Sequence, residues 1–221
     1  MEGLWWLVLW GTVAGLDLVS LGQVMLGRPL VAGTVAGLLA GDPGAGAVVG
    51  VTLELFALDL LPVGGAQYPD YGPAAVAGAA TAAGVPGVLG LGPAIAVALV
   101  TGYLGEQAVQ IVRRGNAADV GRNRAGLDAG EVASLRRMQL HGMLRDAARA
   151  LLMTLFGLAL AALARSWLPL SLRGAVVVGT VAVGAALAVA ATGALRLGGR
   201  GTARVWLAAG LVVGAAWVLA R

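Results

Sequence analysis

Long runs of apolar residues constrain this chain more than any other feature of its sequence. A hydrocarbon core about 30 Å thick is spanned by roughly 20 apolar residues in a helix. Several runs reach or approach that length, which predicts a multi-pass membrane protein. The first has neither a basic start nor a cleavage-site pattern, so we expect it to be retained in the membrane. The runs are Leu4–Leu16, Gly87–Val112, Leu151–Leu168, Ala175–Leu195 and Val205–Ala220.

The composition supports the same class. Only 12% of the residues are charged, whereas soluble domains average about 25%. This excludes a water-soluble enzyme, a disordered tail and a nucleic-acid-binding protein, although the net charge is +4. The 36 glycines are typical of closely packed membrane helices. Cysteine is absent, which excludes disulfides, zinc–thiolate sites and cysteine nucleophiles.

The apolar runs between residues 17 and 86 are too short to cross a bilayer. They are Leu30–Ala40, Ala45–Leu53 and Ala74–Val85, and glycine, proline and acidic residues separate them. Interrupted hydrophobic segments of this kind point to broken helices at a transporter's binding site. Ordinary short helices joined by interfacial loops are the alternative. The sequence therefore predicts an all-α membrane bundle with broken or re-entrant helices in its N-terminal half.

Charge divides the chain into three parts. Residues 1–112 form a membrane region with the broken helices, and residues 150–221 form C-terminal membrane helices. Between them, residues 113–149 contain eight arginines and four acidic residues, a surplus equal to the whole net charge. Because cytoplasmic loops are rich in basic residues, we expect this middle segment to be cytoplasmic. Its second half, from about Asp128 to Arg149, has the pattern of an amphipathic helix leading into the next span.

Polar residues among the short runs are the candidate functional residues. Ionisable groups at membrane depth are costly and are usually functional. Glu54 is surrounded by apolar neighbours. It either lines a polar cavity, pairs with Arg28 or caps a broken helix. Gln23 precedes the first short run, together with Asp17 and Arg28, and can contribute to such a cavity.

A second polar group lies between the later short runs. Gln67 and Asp70 stand beside Tyr68 and Tyr71, and carboxylate, amide and aromatic groups together suit a sugar. An interfacial turn explains the same residues. Asp42, within a Gly-Asp-Pro-Gly sequence, predicts a turn or a helix cap rather than a ligand contact.

Four successive motifs resemble a known family. They are GRPLVAG at Gly27–Gly33, GLLAGDPGAG at Gly37–Gly46, GVTLELFAL at Gly50–Leu58 and VGGAQYPD at Val63–Asp70. Together they are similar to the IIC component, the sugar permease subunit, of the mannose/fructose/sorbose family of bacterial phosphotransferase systems.

The resemblance implies a transport subunit of the bacterial inner membrane rather than an enzyme. Such a subunit binds and moves a hexose-type sugar within an oligomeric complex with a IID membrane subunit, while cytoplasmic IIA and IIB proteins relay the phosphate. It places Glu54, Gln67 and Asp70, with Gln23 just upstream, near the sugar. Because phosphoryl carriers need a nucleophilic side chain and this chain has one His and no Cys, we expect phosphoryl transfer on the partners. We expect no cofactor and no metal.

Two other functions are compatible with the residues alone. One is a substrate-binding membrane subunit of another small-molecule importer. The other is an intramembrane enzyme that uses paired carboxylates, although the chain lacks clustered acidic pairs and the common hydrolase motifs.

Overall fold

The chain folds into α-helices joined by turns and loops in the part that the structure describes. The computed structural model describes residues 2–58, 66–167 and 171–197, and these ranges contain eight helices and no strand. The helices are α1 (Glu2–Asp17), α2 (Pro29–Leu39), α3 (Pro43–Ala57), α4 (Tyr71–Ala82), α5 (Val88–Arg122), α6 (Arg124–Asp128), α7 (Val132–Trp167) and α8 (Leu172–Leu197).

Three helices are long and apolar enough to cross a membrane: α5, α7 and α8. They contain the predicted spans Gly87–Val112, Leu151–Leu168 and Ala175–Leu195, apart from a residue or so at the ends. The predicted first span is α1, a helix of 16 residues. The predicted span Val205–Ala220 lies outside the described residues. The chain is therefore an all-α membrane protein, as the apolar runs predicted.

The predicted short helices are also confirmed. Helices α2, α3 and α4 have 11, 15 and 12 residues, which corresponds to about 16–22 Å at 1.5 Å per residue. Pro29 and Pro43 occupy the first turn of their helices, where a missing N–H costs nothing. Asp42 caps α3 by accepting a hydrogen bond from the Ala45 N–H at 3.0 Å, which confirms its predicted role.

Glycine lets α2 and α3 pack backbone against backbone. A Cβ on Gly33 would lie 2.8 Å from the Gly46 carbonyl oxygen, and one on Gly50 would lie 2.7 Å from the Pro29 carbonyl oxygen. No side chain fits at such distances, so the two helices form a close antiparallel pair. This contact between small residues is the usual way in which membrane helices associate.

Two contacts define one end of the bundle, which we call the far end. There the Asp42 carboxylate accepts a hydrogen bond from the Gly84 N–H at 3.1 Å, which joins two interhelical turns. Arg165, near the end of α7, donates to the Ala80 carbonyl at 2.9 Å. The N-termini of α3 and α5 and the C-termini of α2, α4 and α7 therefore meet at the far end.

At the opposite end, α5 and α7 project together beyond the other helices. Helix α5 has 35 residues and α7 has 36, so each is about 53 Å long, compared with about 30 Å for a hydrocarbon core. The segment from about Asp128 to Arg149, predicted as an amphipathic helix, is helical from Val132 onward and forms the first half of α7. The first half of the Arg-rich segment continues α5 as far as Arg122. We call this the projecting end.

Candidate functional site: a polar cavity between helix ends

Four short or interrupted helices end around one cavity. Its walls are formed by the C-terminus of α1, the following loop, the N-terminus of α2, the C-terminus of α3 and the start of α4. Its volume is about 310 Å³, at the lower end of the range of small-molecule sites. The polar side chains in its wall are Asp17, Gln23, Arg28, Tyr68 and Tyr71.

Asp17 shapes the loop that closes one side of the cavity. Its carboxylate is buried and accepts hydrogen bonds from the N–H groups of Val24 at 2.9 Å and Gly27 at 3.2 Å. Two residues of this loop have left-handed backbones, Gln23 with φ 52° and Met25 with φ 70°. Non-glycine residues rarely adopt that conformation, and such strain is concentrated at functional sites. Asp17 thus holds a strained loop against the cavity.

Glu54 holds Arg28 at the entrance of α2. The Arg28 guanidinium donates to one carboxylate oxygen of Glu54, and the Leu30 N–H donates to the other at 3.2 Å. The side chains are 44% and 19% exposed, so this pair remains accessible. Of the readings of Glu54 that the sequence left open, the structure shows the ion pair with Arg28 and a capping contact to the first turn of α2. Since Arg28 itself lines the cavity, the pair positions a guanidinium there.

Asp70 is a sequence neighbour of residues in the cavity wall, but its side chain points into the protein. Its side chain is 1% exposed and pairs with Arg149, which is 2% exposed. Its backbone N–H donates to the Gly102 carbonyl of α5 at 2.9 Å. Tyr71, the next residue, lies in the cavity wall. The structure therefore brings Asp70 close to the cavity without placing its carboxylate in the wall.

Arg149 is the centre of a buried network that the sequence did not indicate. Besides Asp70, it contacts Asp146 at 2.7 Å and the Gly15 carbonyl at 2.8 Å. Asp146 in turn accepts a hydrogen bond from Ser20. The network thus joins α7 to the end of α1, the loop after it and the start of α4, and these are three of the elements around the cavity.

Arg113 of α5 positions one aromatic wall. Its guanidinium carbon lies 5.4 Å from the centre of the Tyr68 ring, and the group donates to the Tyr68 hydroxyl at 3.2 Å and to the Ala66 carbonyl at 2.8 Å. Gln67, between these residues, is exposed and is not among the residues of the wall. Among the other predicted site residues, Gln23 lies in the cavity wall. Glu54 contacts the wall residue Arg28, and Asp70 lies behind the wall.

The wall contains hydrogen-bond donors and acceptors as well as flat aromatic rings. Asp17 can only accept when ionised, Arg28 can only donate, and Gln23 and the tyrosine hydroxyls can do both. These chemical groups are of the kind that can bind a small ligand with several hydroxyl groups and an apolar face. In residues 2–58, 66–167 and 171–197, no three His, Cys, Asp or Glu side chains are grouped as a metal site would require.

This fold and cavity define a multi-pass helical membrane protein of the transporter type, with broken helices around a polar site. The family model described as "PTS system sorbose-specific iic component" matches residues 4–189. The chain therefore belongs to the sorbose-specific IIC family of phosphotransferase system (PTS) components, and the resemblance seen in the four motifs is confirmed.

Individual relatives agree with this assignment. The chain is 44% identical over 62 residues to the sorbose-specific EIIC component of Lacticaseibacillus casei, which is 28% of this chain and 22% of that protein. It is 34% identical over 128 residues to the fructose permease IIC component of Bacillus subtilis, or 58% of this chain and 47% of that one. The chain thus spans less than half the length of either relative. Both relatives are named as IIC components and the second as a permease, as expected for a permease subunit rather than a phosphoryl-transferring enzyme.

A solved structure has the same fold. The mannose transporter ManYZ in complex with microcin E492 contains a chain that superimposes with a TM-score of 0.62 at 22% identity. The superposition covers 97% of this chain and 86% of that one. The arrangement of the helices therefore belongs to a known membrane fold.

Proposed function

We propose that the protein is the sugar-translocating IIC subunit of a mannose-family phosphotransferase system and that it binds a hexose-type sugar in the cavity. The observation that carries this proposal is the set of polar side chains, Asp17, Gln23, Arg28, Tyr68 and Tyr71, at helix ends inside the family-matched region. Helix ends expose unpaired backbone groups, so they add further donors and acceptors for hydroxyl groups.

Each predicted site residue has a role in this proposal. Gln23 and Arg28 contact the sugar directly, and Glu54 orients Arg28. Asp70 fixes the start of α4 through Arg149, which places Tyr71 in the wall. Gln67 is exposed beside Tyr68 and is a further candidate contact outside the wall. Glu54, Asp70, Gln67 and Gln23 thus stay the proposed substrate-site residues, and of the four only Gln23 lies in the cavity wall.

The proposed complex divides the chemistry among subunits. The chain assembles with a IID membrane subunit, and cytoplasmic IIA and IIB proteins supply the phosphoryl group. The fold shared with a chain of the mannose transporter ManYZ supports an assembly of more than one membrane subunit. The protein lies in the bacterial inner membrane with its projecting end in the cytoplasm, because the arginines of residues 113–149 are concentrated there.

Sugar binding and uptake by the chain co-expressed with IID test this proposal. We compare Asp17→Asn, Glu54→Gln and Asp70→Asn with the wild type, and use Asp128→Asn as the matched control because that carboxylate is 74% exposed in α6. We expect each of the first three to lose at least about tenfold in sugar affinity, equivalent to about 1.4 kcal/mol. The control is expected to keep wild-type binding. Wild-type affinity in all three site variants would show that the sugar does not bind in this cavity.

A further inference from the structure

A second cavity lies between the projecting halves of α5 and α7. Its volume is about 480 Å³, within the range of small-molecule sites. Its wall is formed by α5 from Val109 to Val120, by α7 from Leu135 to Asp146 and by two residues of the loop after α1. We call it the second cavity, and we call the one proposed for the sugar the sugar cavity. The polar side chains in the wall of the second cavity are Ser20, Arg113, Asn116, Asp119, Gln139 and Asp146.

Both long helices place the start of the second cavity at the boundary of the hydrocarbon core. Val109 stands 21 residues after Val88, and Asp146 stands 21 residues before Trp167. Because Val88 and Trp167 both lie at the far end, each distance is about 31 Å along the helix, compared with about 30 Å for the core. The second cavity therefore extends from this boundary toward the aqueous side of the projecting end.

One layer of residues separates the two cavities. Residues 17–18 line the sugar cavity, and residues 19–20 line the second cavity. Tyr68 lines the sugar cavity, and its hydroxyl accepts a hydrogen bond at 3.2 Å from Arg113, which lines the second cavity. A ligand that leaves the sugar cavity past this pair of side chains enters the second cavity directly.

The second cavity has the groups that bind hydroxyls. The Asn116 amide oxygen accepts a hydrogen bond from Arg145 at 3.1 Å, so its NH2 group remains as a donor. Ser20 donates its proton to Asp146, so its oxygen remains as an acceptor. Gln139 is exposed and has both a donor and an acceptor. Much of the remaining wall is valine and methionine, as is usual for a small-molecule site.

The charged groups of the wall favour a neutral ligand. Asp119 pairs with Arg145 at 2.7 Å and Asp146 pairs with Arg149 at 2.7 Å, and both of these arginines lie outside the wall. Arg113 already donates to the Ala66 carbonyl and the Tyr68 hydroxyl. A phosphate ester binds best where a guanidinium can donate to two of its oxygens. This wall therefore suits a sugar better than a sugar phosphate.

We infer that the second cavity is a release subsite for the unphosphorylated sugar. It holds a neutral monosaccharide that has left the sugar cavity and has not yet entered the aqueous phase, with Asn116, Gln139 and Ser20 as its hydrogen-bond partners. This inference rests on the proposed function, since the sugar must first occupy the sugar cavity.

Cysteine protection tests the two cavities separately. Because the chain has no cysteine, Met25→Cys reports on the sugar cavity and Met143→Cys on the second cavity. Both methionines are exposed wall residues, at 70% and 39%. Each variant is assembled with cysteine-free IID in nanodiscs, and maleimide labelling is timed at increasing concentrations of mannose, fructose or sorbose. We expect the sugar that slows labelling at residue 25 to slow it at residue 143 as well.

Wall variants distinguish occupancy of the second cavity from an effect transmitted from the sugar cavity. In Met143→Cys, the further changes Asn116→Ala and Gln139→Ala should each raise the sugar concentration for half-protection about fivefold, which corresponds to one hydrogen bond of about 1 kcal/mol. In Met25→Cys the same changes should leave protection unaltered, which also shows that the variants are folded. Gln107→Ala is the matched control, because it removes a glutamine amide at an exposed position of α5 outside both cavities.

Four results would overturn the inference. They are protection at residue 25 without protection at residue 143, protection at residue 143 that neither wall variant weakens, an equal loss in the Gln107→Ala control, and stronger protection at residue 143 by the phosphate ester of the same sugar. In each of these, protection at residue 25 leaves the proposed function standing. If none of the sugars protects residue 25, the proposed function itself fails, and the release subsite fails with it.

Discussion

Arg149 and Asp70, 79 residues apart in the sequence, form a buried ion pair that joins the middle of α7 to the start of α4. The same guanidinium binds Asp146 and the Gly15 carbonyl. Two carboxylates thus share one guanidinium, and their side chains are almost completely buried. Buried ion pairs of this kind add little net stability, but removing one partner leaves an uncompensated charge.

The first prediction concerns the loss of this guanidinium. Arg149→Met leaves Asp70 and Asp146 buried without their cation, so we expect a destabilisation of about 3–5 kcal/mol. Thermal unfolding of the detergent-solubilised protein measures it. The matched control on the same helix is Arg145→Met, whose side chain is 36% exposed beside Asp119 and whose loss should cost less than about 1 kcal/mol. Equal losses of stability in the two variants would show that the buried Arg149 contributes no more than the partly exposed Arg145.

The sequence was sufficient to predict the helices but not this network. The short helices α2, α3 and α4 follow from apolar runs bounded by glycine and proline, and the Asp42 cap follows from its Gly-Asp-Pro-Gly sequence. Arg149 was one of eight arginines in residues 113–149, and nothing local separates it from the exposed ones. Its burial depends on which face of α7 meets the start of α4, a contact between distant parts of the chain.

The same limit applies to the site. Glu54 was selected because it interrupts an apolar run, but its pairing with Arg28 depends on the close packing of α2 against α3. Asp70 was selected for its aromatic neighbours, and those neighbours do lie in the cavity wall. The direction of its own side chain was not predictable. The sequence suggested a ligand contact or a turn, and neither interpretation included the buried ion pair with Arg149.

A second prediction concerns Arg113 and the aromatic wall. Lysine keeps the positive charge but cannot stack on the Tyr68 ring while bonding two oxygens. We therefore expect Arg113→Lys to weaken sugar binding by about threefold to tenfold, that is by about 0.7–1.4 kcal/mol, with little change in thermal stability. Arg114→Lys, at the exposed neighbouring position, is the control. Unchanged sugar affinity in Arg113→Lys would show that the Tyr68 ring does not need the Arg113 guanidinium to contribute to binding.

A third prediction follows from the strained loop. Met25 has φ 70°, a conformation that costs a residue with a Cβ about 1–2 kcal/mol and costs glycine little. Met25→Gly also increases the entropy of the unfolded chain, so the expected net stabilisation is about 0.5–1 kcal/mol. Val24→Gly, in the same loop but without a positive φ, should destabilise instead. Thermal unfolding compares the two, and a loss of stability in Met25→Gly would contradict the strain.

A fourth prediction uses the Asp42 cap at the far end. Hydrogen bonds from the N–H groups of Ala45 and Gly84 hold the pKa of this carboxyl below its ordinary value of 3.8. A lowered pKa means that the cap stabilises the fold at pH values above the unfolded-state pKa and loses this effect as the pH falls below about 4. Asp42→Asn keeps a capping oxygen and should flatten this acid dependence between pH 5 and pH 3. If the variant loses stability between pH 5 and pH 3 as the wild type does, the acid dependence comes from groups other than Asp42.

The last prediction concerns the orientation of the bundle in the membrane, which the proposed function requires. Because the chain has no cysteine, a single introduced one is a unique label site. Ala129→Cys lies at an exposed position between α6 and α7, and Leu172→Cys replaces a 66% exposed side chain at the far end. In intact cells, a membrane-impermeant maleimide should label the second variant and reach the first only after the membrane is opened. Positive charge concentrated at the projecting end predicts this result. The reverse labelling would place the arginines outside the cell and would contradict the proposed cytoplasmic supply of the phosphoryl group.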